Sequence, residues 1–212
     1  MITTRSLIRR ATAVAAAASA AVVLAACGAD GDNGGGAAHN GLDAASPSAS
    51  APAQQGDHNG ADVAFAQGMI PHHRQAVDMA DLAATRAESA EVKKLAEEIK
   101  KAQDPEIKTL SGWLTAWGEQ VPAGGSGPAG HEGHDMSGMM TAEEMKQLHS
   151  ASGKAFDTAF LTMMVKHHEG AVTMAKTEQA DGTHQGAEDM AGQIITSQSA
   201  EIARMKALLG QN

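Results

Sequence analysis

Residues 62–80 read DVAFAQGMIPHHRQAVDMA, and residues 157–175 read DTAFLTMMVKHHEGAVTMA. The two stretches align without a gap at an offset of 95 residues, which pairs His72 with His167. The same offset continues into the segment that follows each stretch. In-register identity of this kind indicates an internal duplication.

Helical periodicity in each copy predicts the fold. At about 100° per residue, Phe65, His72 and Met79 fall on one apolar stripe, and the charged residues fall on the other side. Each copy therefore predicts a helix, a short loop and a second helix, over about residues 62–118 and 157–212. Two such hairpins would bury their apolar stripes against each other, so we predict an all-α, four-helix bundle built from two duplicated helical hairpins.

Two prolines lie inside the predicted helices of the first copy. Pro71 and Pro105 each remove a backbone hydrogen bond, but the second copy keeps the helical pattern with Lys166 and Ala200 at those positions. We therefore expect kinked, continuous helices. Between the copies, the sequence TAEE at residues 141–144 has the pattern of a capping box and predicts a short connecting helix.

Composition restricts both the fold and the class of partner. Aromatic residues make up 2% of the chain and tyrosine is absent, which disfavours strands. The formal net charge is −9, and residues 1–26 carry three arginines and no acid, so the remainder has 13 basic against 25 acidic residues, a charge of −12. Such a protein repels phosphate backbones, and we expect no nucleic acid partner.

The N-terminal segment predicts export and anchoring. Residues 1–26 combine arginines with an apolar run, as in a signal peptide, and end in Leu-Ala-Ala before Cys27, as in a bacterial lipobox. We expect cleavage before Cys27, the only cysteine, and attachment of lipid there. Residues 27–60 are rich in Gly, Ala, Ser, Asn and Asp and predict a flexible tether. Residues 61–212 would form the helical domain, held at the outer face of the cell membrane.

The duplicated His-His pairs lie on the apolar stripes and are the candidate metal ligands. Burying four imidazoles costs free energy unless each finds a partner, so a purely structural role is the less favoured alternative. If the first helices of the two copies face each other, the pairs converge. Imidazole suits copper, zinc, iron or nickel, and nearby thioethers shift the preference to Cu(I), with zinc and iron still possible. The predicted ligands are His72, His73, His167, His168, Met69, Met79, Met164 and Met174.

Polar residues also occur on the apolar stripe of the second helix in each copy. They could accept the second ring N–H of each histidine and so fix its tautomer, or they could form a structural hydrogen-bond layer between helices. Both roles remain open from the sequence. The residues are Gln103, Glu106, Gln198 and Glu201.

The segment between the copies, residues 122–140, is predicted to be a linker with its own weak affinity for metal. It contains two prolines and many glycines, and short His- and Met-rich tracts bind metal without a fold. An incidental linker composition is the alternative. The residues concerned are His131, His134, Met136, Met139 and Met140.

The repeated pattern Phe-x-x-x-Met-x-x-His-His-x-x-Ala-x-x-Met-Ala, with Gln-x-x-Glu-Ile and Trp-Leu-x-x-Trp-Gly downstream, resembles the domain-of-unknown-function family 305 over residues 61–210. The resemblance implies a ferritin-like helical bundle, export, and an association with copper for some members. It also implies the same histidine and methionine ligands. The second copy departs from the family pattern at Lys166 and lacks the tryptophan ending, which questions the equivalence of the two halves.

These patterns favour a non-catalytic protein that captures, buffers or delivers copper, with an unidentified copper-handling protein as a possible partner. A ferritin-like dinuclear metal oxidase is the first alternative, but it requires Glu-x-x-His spacing on two helices, which the sequence lacks. A metal-free interaction module tethered to the membrane is the second alternative. It predicts a large exposed apolar patch and no dependence on metal.

The lipobox generates the first testable prediction. The wild-type protein should fractionate with membranes and carry radiolabelled lipid, whereas Cys27→Ala should carry none. Stable attachment needs more than one acyl chain, because a single chain gives only marginal membrane binding. Labelled lipid on the Cys27→Ala variant, or an unlipidated soluble wild type, would disprove anchoring at this residue.

Overall fold

The computed structural model describes residues 57–124 and 137–210, and within these ranges the chain is helical and contains no strand. The predicted all-α class is thus confirmed. The described residues form four long helices and a short one: α1 (Gly60–Arg86), α2 (Ala90–Trp117), α3 (Ala142–Ser150), α4 (Gly153–Asp181) and α5 (Gln185–Leu208). None of these described helices is both long and apolar enough to span a membrane. Cys27 and the predicted signal peptide lie outside the described residues.

Local sequence signals position the helix ends. The side chain of Asn59 accepts hydrogen bonds from the N–H groups of Ala61 and Asp62, and the Asp62 carboxylate accepts one from the N–H of Asn59, which forms a capping box at the start of α1. The predicted capping box of α3 is present at Thr141 and Glu144. Helix α2 ends at Trp117, and the φ of 77° at the next residue, Gly118, is the left-handed conformation that glycine adopts without strain.

The helices pass through both prolines, as expected. Pro71 lies within α1 and Pro105 within α2, and each helix continues for more than two turns beyond its proline. The free energy lost with one backbone hydrogen bond is offset by burial of the apolar residues on both sides of the proline.

Each repeat forms one hairpin, and the two hairpins meet through their first helices. Helix α1 packs against α2, α4 packs against α5, and α1 packs against α4. Helices α1 and α4 are antiparallel, because the start of each lies beside the end of the other. The short helix α3 contacts both α1 and α4. The two histidine-bearing helices therefore form the central interface of the domain.

Two duplicated aspartates join the hairpins reciprocally. Asp62 of α1 accepts hydrogen bonds from the backbone N–H groups of Thr183 and His184, in the connection between α4 and α5. Asp157 of α4 accepts from those of Glu88 and Ser89, in the connection between α1 and α2. Each aspartate satisfies donors at the start of a helix in the opposite hairpin, which neither hairpin could satisfy alone.

The two aspartates differ in one neighbour. Burial opposes the ionisation of Asp62, but the hydrogen bonds that it accepts, with Asn59 first, lower its pKa to about 2. Glu178 is buried nearby, and burial, followed by hydrogen bonding to Asp62 and then by the charge of Asp62, raises the pKa of Glu178 to about 8. The Asp62 end therefore holds a protonated carboxyl group at neutral pH. The corresponding residue at the Asp157 end is Ala83.

The hydrogen bonds that Asp62 and Asp157 accept from the opposite hairpins generate a prediction about stability. Asp157→Ala should lower the free energy of unfolding by about 1–3 kcal/mol, because it leaves two N–H groups without an acceptor. Asp78→Ala is the matched control, since Asp78 is an exposed helical aspartate and its change should stay within about 0.5 kcal/mol. Urea unfolding followed by circular dichroism measures both. Equal losses in the two variants would refute a role for Asp157 in joining the hairpins.

Candidate metal centre

A polar layer crosses all four long helices and divides the core into two apolar clusters. Phe65, Met69 and Leu114 belong to one cluster, whereas Met79 and Met164 belong to the other. In each long helix the residues between the two clusters include two of the predicted site residues. They are His72 and His73 in α1, Gln103 and Glu106 in α2, His167 and His168 in α4, and Gln198 and Glu201 in α5.

The first histidine of each pair lies at the centre of this layer. The ring centroids of His72 and His167 are 3.8 Å apart, and the rings are tilted by 45°. The exposed fractions are 1% for His72 and 0% for His167. The antiparallel packing of α1 and α4 thus brings the duplicated pairs together, as their position on the apolar stripes predicts.

The second histidine of each pair is oriented by a glutamate of its own hairpin. His73 Nε2 lies 2.8 Å from Glu106 Oε2, and His168 Nε2 lies 2.6 Å from Glu201 Oε2. A carboxylate only accepts a hydrogen bond, so Nε2 is the donor, and in the neutral imidazole the lone pair lies on Nδ1. Of the two roles that the sequence leaves open for Glu106 and Glu201, these contacts correspond to the first, a carboxylate that accepts a ring N–H of a histidine.

His72 is oriented by a backbone group that the sequence does not reveal. Its Nε2 lies 3.1 Å from the carbonyl oxygen of Ser137, to which it donates a hydrogen bond. The lone pair of His72 is consequently also on Nδ1. Residue-type patterns identify side-chain partners such as Glu106, but a main-chain carbonyl leaves no such signal.

The Nδ1 atoms of all four histidines are buried without a hydrogen-bond partner, and so is Nε2 of His167. Burial, followed by repulsion from His73, lowers the pKa of His72 to about 3, and burial with the neighbouring imidazoles lowers the pKa of His167 well below its ordinary value. Both central rings are therefore neutral at physiological pH. Buried lone pairs without a partner are costly in a metal-free protein and are suitable metal ligands.

Thioethers flank the layer on both sides. Met69 and Met174 lie in the same apolar cluster, and Met79 and Met164 lie in the other. A Cβ at Gly68 would come within 2.9 Å of the terminal methyl of Met174, so α1 approaches this methionine closely. The predicted methionine ligands thus lie in the apolar clusters on either side of the layer that contains the histidines. Across the two described ranges, no three His, Cys, Asp or Glu side chains are already gathered to hold an ion.

The remaining predicted residues divide into three groups. Gln103 and Gln198 are buried in the layer, but their Oε1 atoms have no hydrogen-bond partner and so do not accept from a histidine. His131, His134 and Met136 lie outside the described residues. Met139 is half-buried and Met140 is only 4% exposed, so the end of the expected linker packs into the core.

A second cluster of histidines lies at the end of the domain. His58 stacks on Trp117 with ring centroids 4.6 Å apart, and His184 meets Trp113 and Trp117 edge-on. His184 Nδ1 accepts the N–H of Ala187, which places its proton on Nε2 and leaves no lone pair for a metal. This cluster therefore caps α5 and packs the end of the hairpins.

Comparisons with known proteins agree on one family. The sequence model of DUF305, a domain of unknown function, matches residues 62–209. A putative secreted DUF305 protein from Streptomyces coelicolor is 34% identical, with a TM-score of 0.64, and the match covers 71% of this chain and 93% of that one. A DUF305 fragment from Deinococcus radiodurans is 29% identical, with a TM-score of 0.64 and coverages of 73% and 98%.

The chain is also similar to CopM, whose structure is known with bound metal. The Cu(II)-bound form is 36% identical, with a TM-score of 0.59, over 69% of this chain and 94% of that one. The Cu(I)-bound form is 34% identical, with a TM-score of 0.58 and the same coverages. CopM has also been solved in an Ag-bound form. A search among curated proteins returned no significant match.

The depressed pKa values of His72 and His167 predict acid sensitivity of the metal-free protein. As the pH falls below about 6.5, both imidazoles gain protons in the unfolded chain at a higher pH than in the folded one, because burial lowers the folded pKa of each. The free energy of unfolding should therefore decrease as the pH is lowered, by up to about 1.4 kcal/mol per pH unit for each ring. The contribution of the neutral rings to stability is fully present above their unfolded pKa. It is lost progressively as the pH falls from there towards their folded pKa.

The measurement is urea unfolding at several pH values, with His72→Gln/His167→Gln compared with the wild type. Glu178 titrates in the opposite sense over this window, since its pKa is raised, so the difference between the two proteins isolates the imidazoles. The double variant should show a shallower loss of stability on acidification. His149→Gln, at an exposed position in α3, should behave as wild type. Identical pH profiles for all three proteins would contradict neutral burial.

Proposed function

The chain belongs to the DUF305 family, and on that premise we propose that it is an exported, non-catalytic protein that captures, buffers or delivers copper. The observation that carries the proposal is the layer of four buried imidazoles whose Nδ1 atoms have no hydrogen-bond partner, so that each neutral ring keeps a lone pair free for a metal. A bound cation would use those lone pairs, and its coordination energy would offset the cost of burying them.

The donor set fits a soft metal. His72 and His167 lie in contact at the centre, and thioethers occupy the core on either side of them. Imidazole with thioether favours Cu(I) among the first-row metals, and similarity to CopM, which has Cu(I)-, Cu(II)- and Ag-bound forms, supports the same choice. Glu106 and Glu201 would raise the basicity of His73 and His168 through their hydrogen bonds.

The proposal extends to fold type and location. We place the domain among ferritin-like four-helix bundles, and we place the protein at the outer face of the cell membrane, anchored through Cys27. The location is supported by the lipobox and by similarity to a putative secreted protein. A copper-handling protein is the partner from which such a domain would receive metal or to which it would pass it on.

The two alternatives are less well supported. In a dinuclear oxidase, glutamates would serve as metal ligands, whereas Glu106 and Glu201 are engaged by His73 and His168. A metal-free docking module would expose a broad apolar surface. Among the described residues, Leu208 alone is an exposed large hydrophobic side chain.

The decisive variant changes His72, His73, His167 and His168 to Ala. It should abolish tight Cu(I) binding while circular dichroism still reports a helical protein, because alanine favours helices. The wild type should gain about 2.7 kcal/mol at a free metal concentration of 100 Kd, and the variant should gain nothing. Competition with a Cu(I) chelator measures the affinity.

Two further variants complete this test. His149→Ala, at an exposed site, should bind as wild type. Changing only His72 and His73 separates the two stoichiometries: a shared site loses nearly all affinity, whereas two independent sites retain half the bound metal. If the quadruple variant, with His131 and His134 also changed, kept its Cu(I) affinity, the histidines would be structural.

A further inference from the structure

Residues Ser137–Met140, here called the strap, run across the central histidines before α3 begins. The Ser137 carbonyl accepts the Nε2–H of His72. Gly138 lies against the backbone of α4, where a Cβ would come within 2.6 Å of the Lys166 carbonyl and 3.0 Å of the His167 carbonyl. The strap thus contacts the histidine-bearing turns of both α1 and α4.

Glycine at position 170 makes this approach possible. A Cβ on Gly170 would lie 2.5 Å from the carbonyl carbon of Ser137 and 2.8 Å from the Cα of Gly138. Real Cβ atoms do not come so close to backbone, so any larger residue would push the strap away. Gly138 itself has a φ of 80°, a conformation that favours glycine.

Gln75 fastens the other end of the strap. Its Oε1 accepts the N–H of Met140 at 2.7 Å, and its Nε2 donates to the carbonyl of Met140 at 2.9 Å. Gln75 is 1% exposed and Met140 is 4% exposed, so both hydrogen bonds are shielded from water.

The two anchor positions are the same position in the repeat. Gln75 corresponds to Gly170 at the 95-residue offset. In the first copy this position supplies two hydrogen bonds to the strap, and in the second copy it supplies the space that the strap occupies. The asymmetry extends to the histidines, since His72 bonds to the strap and Nε2 of His167 has no partner.

We propose that the strap is the gate of the metal centre: it fixes the tautomer of His72, and a metal ion enters or leaves when the strap lifts from α4. This inference rests on the proposed function, because it concerns exchange at the same site. A strap attached by a few hydrogen bonds can open locally while the helices stay folded. Exchange of metal would then be controlled separately from affinity, which the imidazoles determine.

The test adds one methyl group under the strap with Gly170→Ala. The matched control is Gly112→Ala, a helical glycine in α2 whose Cβ would meet nothing within 4 Å. Gln75→Met, which removes both hydrogen bonds to Met140 at similar volume, is the second variant and decides the outcome if Gly170→Ala does not fold. Stopped-flow exchange of Ag(I) with a chelator gives the rate constants for capture and release.

We expect both rate constants to rise about tenfold or more in the two strap variants. The loss of one hydrogen bond changes the equilibrium constant for opening of the strap by about that factor. Affinity should change much less than either rate, and Gly112→Ala should match the wild type. A metal-free readout accompanies the kinetics. The imidazole Nε2–H of His72 should be protected from exchange and visible by NMR in the wild type, and it should be lost in both strap variants.

The outcomes separate this inference from the proposed function. Unchanged rate constants with the His72 signal lost would show that the strap opens without controlling exchange. Retention of the His72 signal in both variants would show that the strap is not fastened as described. Loss of affinity without faster exchange would make the strap part of the ligand set instead of a gate. If the quadruple histidine variant still bound metal, the proposed function itself would fail, independently of these results.

Discussion

Burial of four imidazole lone pairs is the constraint on which the rest of the structure depends. The Nδ1 atoms of His72, His73, His167 and His168 face no protein donor, and unsatisfied polar atoms in a core cost free energy. The surrounding contacts keep this arrangement in place. Carboxylates hold two of the rings, a main-chain carbonyl holds a third, and apolar clusters above and below exclude water. Because the pKa values of His72 and His167 are lowered, both rings are neutral and a metal ion would not have to displace a proton to bind them.

Much of this centre could be predicted because the relevant information is in residue type and spacing. The duplicated His-His pairs lie on the apolar stripe of their helices, and Glu106 and Glu201 recur at the same offset. Helical geometry then requires that these side chains meet once α1 packs on α4. The helices running through Pro71 and Pro105 could be foreseen for the same reason, since the second copy keeps the pattern without proline.

The contacts that could not be predicted are made by the backbone or across the duplication. Ser137 acts through its carbonyl, and Gly138 and Gly170 act through the absence of a side chain, so no periodicity reports them. The repeated aspartates signal a shared role, yet their acceptor bonds go to the opposite hairpin, which only the packing of α1 on α4 determines. Met140 belongs by sequence to a Gly-rich linker and by structure to the core, because Gln75 holds its backbone.

The reciprocal aspartates have a consequence for how such a domain could have arisen. Because Asp62 serves the connection of the second hairpin and Asp157 that of the first, one hairpin by itself is an incomplete unit with donors left over. Two identical one-hairpin chains would complete each other about a twofold axis, since an isologous interface repeats every contact. Fusion of two such genes would then join the halves by a single covalent connection, which a symmetric homodimer cannot have. Because there is only one such connection, it can make contacts with one half that it does not make with the other.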